Sequence, residues 1–177
     1  MTVRLRPSTP SDLTAVLAAE TDPTTRQWLG DASIAWHERH RADPAAEHLV
    51  AERDGAPVGH VVLVSADGVA ELRRIVVWPD ARGTGAGRAT LIAAADHAFA
   101  RPGTHRLWLD VKAGNAIARR LYAGAGFVEE GVLREAMLET DGSWSSLVVM
   151  SVLDREWAAR DLRSTAPRAP GPTADPR

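Results

Sequence analysis

Glu71-Leu72-Arg73-Arg74-Ile75-Val76-Val77-Trp78-Pro79-Asp80-Ala81-Arg82-Gly83-Thr84-Gly85-Ala86-Gly87-Arg88 reads as a strand, a proline stop and a glycine turn that opens a helix. Three glycines in five positions remove the Cβ atoms that would block a ligand and permit backbone dihedrals closed to other residues. Backbone N–H groups in such a turn face an anion, and the dipole of the following helix adds partial positive charge. Arg82 and Arg88 supply full charges, so the turn suits a pyrophosphate.

Several phosphate-binding patterns compete for this turn. A nucleoside-triphosphate loop ends in Gly-Lys-Ser/Thr, whereas this one ends in Gly87-Arg88-Ala89. A dinucleotide fingerprint spaces its glycines Gly-x-Gly-x-x-Gly, and here the third glycine comes early, with Arg88 in its place. Asp110 stands about twenty residues further on, where a ribose-binding acid would lie, but antiparallel hairpins before the turn do not fit a Rossmann unit. A glycine-rich connection without a ligand is the remaining reading.

The flanking sequence supplies the fold. Val3 to Pro7 is strand-like, and Thr9-Pro10-Ser11-Asp12 gives a cap, a first-turn proline and a capping carboxylate for a helix to about Glu20. Thr24 to Asp43 holds one or two short helices broken near Gly30. His48–Arg53 and Val58–Ser65 flank Asp54-Gly55, a hairpin signal, and Asp67-Gly68 leads into the strand from Glu71 to Trp78. A helix from about Ala86 to Arg101 carries Leu91, Ile92, Ala95 and Phe99 on one face. A strand around Leu107, Leu109 and Val111, a short helix from Asn115 to Ala123, and a hairpin of Val132–Thr140 with Trp144–Leu153 complete the order. This predicts an α+β fold: a mixed, mostly antiparallel sheet of about seven strands with helices on both faces. A single domain is expected over 1–162, followed by a Pro-rich, disordered tail over 163–177.

Composition narrows the function. The 177 residues include 21 basic and 23 acidic side chains, for a formal net charge of -2, which disfavours binding nucleic acid through its phosphates. There is no cysteine, so disulfides, zinc–thiolate sites and a cysteine nucleophile are excluded. No signal-peptide core or bilayer-spanning run is evident, and a cytoplasmic protein working as a monomer or homodimer, without membrane or metal, is expected. His37 and His40 fall three apart but lack a third ligand, and read as a solvated helical face.

Arg82-Gly83-Thr84-Gly85-Ala86-Gly87 resembles the Arg/Gln-x-x-Gly-x-Gly/Ala turn of the GNAT (GCN5-related) N-acetyltransferases. Asn115-Ala116-Ile117-Ala118-Arg119-Arg120-Leu121-Tyr122 with Gly126-Phe127 is similar to that family's second cofactor segment. Gly131-Val132-Leu133-Arg134, Asp141-Gly142 and Met150 resemble the branch that includes ribosomal-protein and small-amine acetyltransferases.

The resemblance implies acetyl-CoA as donor and an amine, on a small molecule or a protein N-terminus, as acceptor. It implies that the backbone of Ile75, Val76 and Val77 pairs with the pantetheine arm. The N–H groups from Gly83 through Thr84, Gly85, Ala86 and Gly87 to Arg88 hold the pyrophosphate, with Arg82 beside them. Asn115, Ala118 and Tyr122 line the far side of the cofactor. Tyr122, the only tyrosine, is the expected acid for the departing thiolate. Glu71 is the expected base, or a holder of the substrate ammonium, and is read as sharing a strand face with Ile75 and Val77. A base is needed because an alkyl ammonium has a pKa of about 10. Arg73 and Arg74 are read as a solvated strand end or as charges lining a cleft. Trp28, Trp36, Arg73 and Trp144 are expected on the acceptor side with Glu71. A non-catalytic acyl-CoA-binding module and a nicotinamide-dependent oxidoreductase are the competing functions.

Overall fold

The structure, a computed structural model, describes residues 2–30 and 33–165. The chain runs β1 (Arg4–Pro7), α1 (Leu13–Thr21), α2 (Pro23–Arg26), α3 (Ile34–Ala42), β2 (Ala46–Arg53), β3 (Ala56–Ala66) and β4 (Val69–Val77). It continues through α4 (Ala86–Phe99), β5 (Arg106–Lys112), α5 (Ala116–Ala125), β6 (Val128–Leu138), β7 (Trp144–Leu153) and α6 (Asp154–Thr165). The seven strands form one sheet in the order β1-β2-β3-β4-β5-β7-β6. Every neighbouring pair is antiparallel except β4 with β5.

Local signals in the sequence explain most boundaries. The Asp12 carboxylate accepts from the Thr9 N–H (2.7 Å), closing the capping box ahead of α1. Asp54-Gly55 and Asp67-Gly68 are the two-residue links of the β2–β3–β4 meander. Asn115 caps α5 by accepting from the Ala118 N–H (3.1 Å).

Two faces of the sheet bury different chemistry. Leu63, Leu72, Leu107, Leu109 and Met150 pack with Leu91, Ala95 and Ala98 of α4 into an apolar core. Tyr122 and Ala125 of α5 join that layer, as does Trp157 of α6, whose indole donates to Asp96 (2.7 Å). The other face meets α1 and α3 and is unusually polar, as described below.

Helix α6 escaped the sequence reading because its apolar content is slight, and one tryptophan anchors it. It reaches Thr165, so it overlaps the start of the tail expected over 163–177; residues 166–177 lie outside the described residues. Among the described residues no helix is long and apolar enough to cross a membrane.

Candidate active site

The site begins where two strands part. Parallel pairing of β4 with β5 covers only Val69 with Arg106, Ala70 with Leu107 and Glu71 with Trp108, although both strands continue beyond it. A cleft of about 680 Å3 opens at the split. Ile75, Val76, Val77, Arg82, Gly87, Asn115, Ala118 and Tyr122 line it from the cofactor set expected in the sequence, and Trp28, Trp36, Glu71 and Arg73 from the acceptor set. Beyond Glu71, β4 carries hydrogen-bonding groups on its outer edge that no strand takes up among the described residues.

The glycine turn lies at one end. Gly83 and Gly85 adopt φ of 71° and 82°, the left-handed region that costs a side chain strain, and Gly85 caps α4. The first hydrogen bond into the helix runs from the Ala89 N–H to the Gly85 carbonyl (3.1 Å), so the N–H groups of Ala86, Gly87 and Arg88 face out of the first turn. Thr84, Gly85 and Arg88 border a separate hollow between α4 and the N-terminal Thr2 and Val3 rather than the cleft. The two arginines are already tied: Arg82 donates to Asp22 (3.3 Å) and to the hydroxyls of Thr24 and Thr25, and Arg88 to the Gly124 carbonyl (3.0 Å). The helix N-terminus thus supplies the outward-facing donors, while these cations brace the turn against α2 and α5.

The expected sharing of a face by Glu71, Ile75 and Val77 is overturned by a bulge. Leu72 pairs with Leu63 and Arg74 with Val62, which leaves Arg73 as an extra residue on β4. Side chains alternate along β3, so Glu71 opposite Val64 and Arg74 opposite Val62 share one face. Ile75 opposite Val61 and Val77 opposite Gly59 share the other. Glu71 therefore sits on the α1–α3 side of the sheet, and its carboxylate is ion-paired with Arg73.

Asp110, assigned no site role from the resemblance, lines the same cleft. Surrounding protein pushes its carboxyl above the usual range, the Glu71 charge adds to the rise, and Arg73 offsets part of it. Among the described residues no donor hydrogen-bonds this carboxylate. Tyr122 is buried, its ring 6.1 Å from that of Phe127, and burial with the Asp110 charge pushes its hydroxyl above the ordinary tyrosine value. Asp110 thus couples to both expected catalytic groups. The signal in sequence was its place on β5 in alternation with Leu109 and Val111, on the face opposite the core.

Arg74 is not at a solvated strand end. It is 8% exposed, its guanidinium lies 3.9 Å from the Trp36 ring centroid, and it donates to Glu20 (2.7 Å). Glu20 also bonds His60 (2.8 Å) and His37 (3.2 Å), and His37 Nδ1 bonds His48 Nε2 (2.9 Å). Burial drives the Glu20 carboxyl upward, and the His37 and His60 bonds with the Arg74 charge more than reverse this, leaving it at about 2. Burial lowers both His60 and His48, the latter to about 3.

His37, expected on a solvated face, is fully buried here, because one carboxylate and one imidazole satisfy both its nitrogens. His40 instead bonds the Trp36 carbonyl (2.8 Å). Trp144, expected near the acceptor, is 56% exposed on the β6–β7 hairpin and does not line the cleft.

Residues 13–127 match the model of the Acetyltransferase (GNAT) family. Over 104 residues the chain is 36% identical to an uncharacterized N-acetyltransferase of Mycobacterium tuberculosis, covering 56% of this chain and 64% of that relative. Over 80 residues it is 39% identical to the ribosomal protein bS18-alanine N-acetyltransferase of Escherichia coli, covering 45% and 53% respectively. The matches thus span less than two thirds of these relatives' length. A crystal structure of spermidine N-acetyltransferase from Vibrio cholerae in complex with CoA and spermine superposes with a TM-score of 0.76 at 24% identity, covering 89% of this chain and 98% of that one. At that identity the likeness is one of fold.

Proposed function

The chain belongs to the GNAT acetyltransferase family, and we propose that it transfers the acetyl group of acetyl-CoA to a primary amine of a small molecule or protein N-terminus, by direct attack in a ternary complex. The observation that carries this reading is the split between β4 and β5: an unpaired strand edge running to a helix N-terminus, with ionisable side chains at its base. The edge of β4 beyond Glu71 suits a pantetheine arm added like a strand, and the first turn of α4 suits its pyrophosphate. Asn115, Ala118 and Tyr122 complete that wall.

The thioester supplies an activated carbonyl; the protein must deprotonate the amine and protonate the sulfur. A carboxylate takes one proton from the ammonium, the nitrogen bonds the carbonyl carbon, and the C–S bond breaks as Tyr122 gives its proton to the thiolate. The acylated nitrogen then sheds its second proton, which restores the tyrosine and leaves a neutral amide. The raised Tyr122 hydroxyl is fully protonated at neutral pH, as an acid must be.

Glu71 is the base implied by the resemblance. Asp110 is the better base here, because Arg73 holds the Glu71 carboxylate, whereas Asp110 is open to the cleft and its proton affinity is raised. In this reading Glu71 tunes Asp110 and attracts the ammonium, with Trp28 and Trp36 flanking it. The lack of cysteine removes one covalent carrier of the acetyl group.

Thermal-shift titration and an amine panel with free-thiol detection test the reading. Stabilisation by acetyl-CoA and CoA with amine-dependent thiol release is expected. Stabilisation without turnover would leave an acyl-CoA-binding module, and stabilisation by NAD alone would overturn the cofactor assignment.

A further inference from the structure

Lys112, the last residue of β5, lines the cleft, yet its side chain is only 7% exposed. Its Nζ donates to the Gln27 carbonyl (2.8 Å) and to the Glu139 carboxylate (2.7 Å). Gln27 follows α2, and Glu139 lies between β6 and β7, so segments 85 and 27 residues away from Lys112 converge on one ammonium. A buried ammonium is costly without such partners, which makes the three-way contact a strong structural constraint.

The clasp holds a short roof over the cleft. The backbone bonds of this stretch are local: Trp28 N–H to the Thr25 carbonyl (2.9 Å) and Leu29 N–H to the Arg26 carbonyl (3.2 Å). Arg26 folds back onto the Leu29 (3.0 Å) and Gly30 (2.8 Å) carbonyls, making the stretch compact. Among the described residues, the bond from Lys112 to Gln27 is the hydrogen bond that ties it to the sheet. A Cβ on Gly30 would stand 3.8 Å from Met137 Cε, and one on Gly114 would stand 3.9 Å from the Trp28 ring. Trp28 and Met137 reach the cleft from the two segments that this closure joins.

We propose that Lys112 is a positioning residue for the acceptor: by joining Gln27 to Glu139 it fixes Trp28 and Met137 as the end wall of the amine pocket. The inference rests on the acetyl-transfer reading above. It assigns Lys112 no contact with acetyl-CoA, so loss of the clasp acts on the acceptor side alone.

The test uses the full chain and the best amine from the panel. Lys112→Met is expected to raise acceptor KM about tenfold, the scale of one lost charge-assisted hydrogen bond, with kcat and acetyl-CoA affinity near wild type. Hydrogen exchange of the amides over 27–30 should quicken in the same variant. Glu139→Ala opens the clasp from the hairpin, keeps the β5 packing and should raise KM in the same direction. Lys112→Arg, which can reach both oxygens, should restore most of the wild-type KM. A folded Lys112→Met with unchanged acceptor KM, or with kcat and acetyl-CoA affinity falling instead, overturns the inference. A wild type that turns over no amine removes the acetyl-transfer reading, and this inference with it.

Discussion

The Glu20 carboxylate and the Arg74 guanidinium meet at 2.7 Å with their side chains 0% and 7% exposed, joining the first helix to the fourth strand beside the cleft. Removing one partner strands the other's charge in a site water does not reach. Arg74→Met is therefore expected to cost about 3–5 kcal/mol, measured as a lower urea midpoint at constant slope. A loss below about 1 kcal/mol, the scale of exposed pairs, would mean the pair is solvated in solution.

The same network makes the fold sensitive to acid. His48 and His60 are held neutral when folded, whereas in the unfolded chain they take up protons below about pH 6.5. The unfolded state then binds more protons, so stability is lost as the pH drops, by up to about 1.4 kcal/mol per unit for each histidine. For His48 that window closes at about 3. Glu20, whose folded value is about 2 against 4.5 for the free group, adds a further loss on the same side. Denaturation midpoints between about pH 8 and about pH 5 should decline, and a flat profile would contradict the neutral histidines.

Asp110 and Glu71 separate in a pH–rate profile. The wild-type rate should fall on the acid side as Asp110 protonates, at a pH above that of an ordinary aspartate. Asp110→Asn should remove that limb and cost about a hundredfold in kcat/KM. Burial is the larger cause of the raised Asp110 and the Glu71 charge adds to it, so Glu71→Gln should move the limb part of the way to lower pH. If Glu71→Gln abolished the limb instead, Glu71 would be the base.

Tyr122→Phe keeps the packing against Phe127 and loses only the donor. A fall in kcat of about a hundredfold is expected with acetyl-CoA affinity retained. Unchanged kcat would take the tyrosine out of the reaction.

Gly85→Ala puts a Cβ on a residue at φ 82° in the cap of α4. A stability loss of about 1–2 kcal/mol is expected, with weaker acetyl-CoA binding by isothermal titration. Binding at wild-type strength would place the pyrophosphate elsewhere.

Short-range chemistry was legible in the sequence. The capping box at Thr9 and Asp12, the links at Asp54-Gly55 and Asp67-Gly68, the glycine turn and the short helix opening at Asn115 each depend on residues within a few positions of one another, and each is in the structure. The strand and helix order followed from them, and with it the mixed sheet. The long-range contacts were not legible. Glu20, His37, His48, His60 and Arg74 are scattered over β2, β3, β4 and two helices, and no spacing rule links them.

The sequence by itself therefore determined the family frame and the glycine turn with its helix N-terminus, because a turn and its cap are set by local dihedrals and neighbouring side chains. The tertiary structure decided what lines the rest of the cleft. One extra residue at Arg73 reverses which face each later β4 side chain occupies, and the split of β4 from β5 brings Asp110 to the cleft. Lys112 draws together Gln27 and Glu139 across the fold. Those outcomes depend on register and on buried charges finding partners, and both are properties of the assembled sheet.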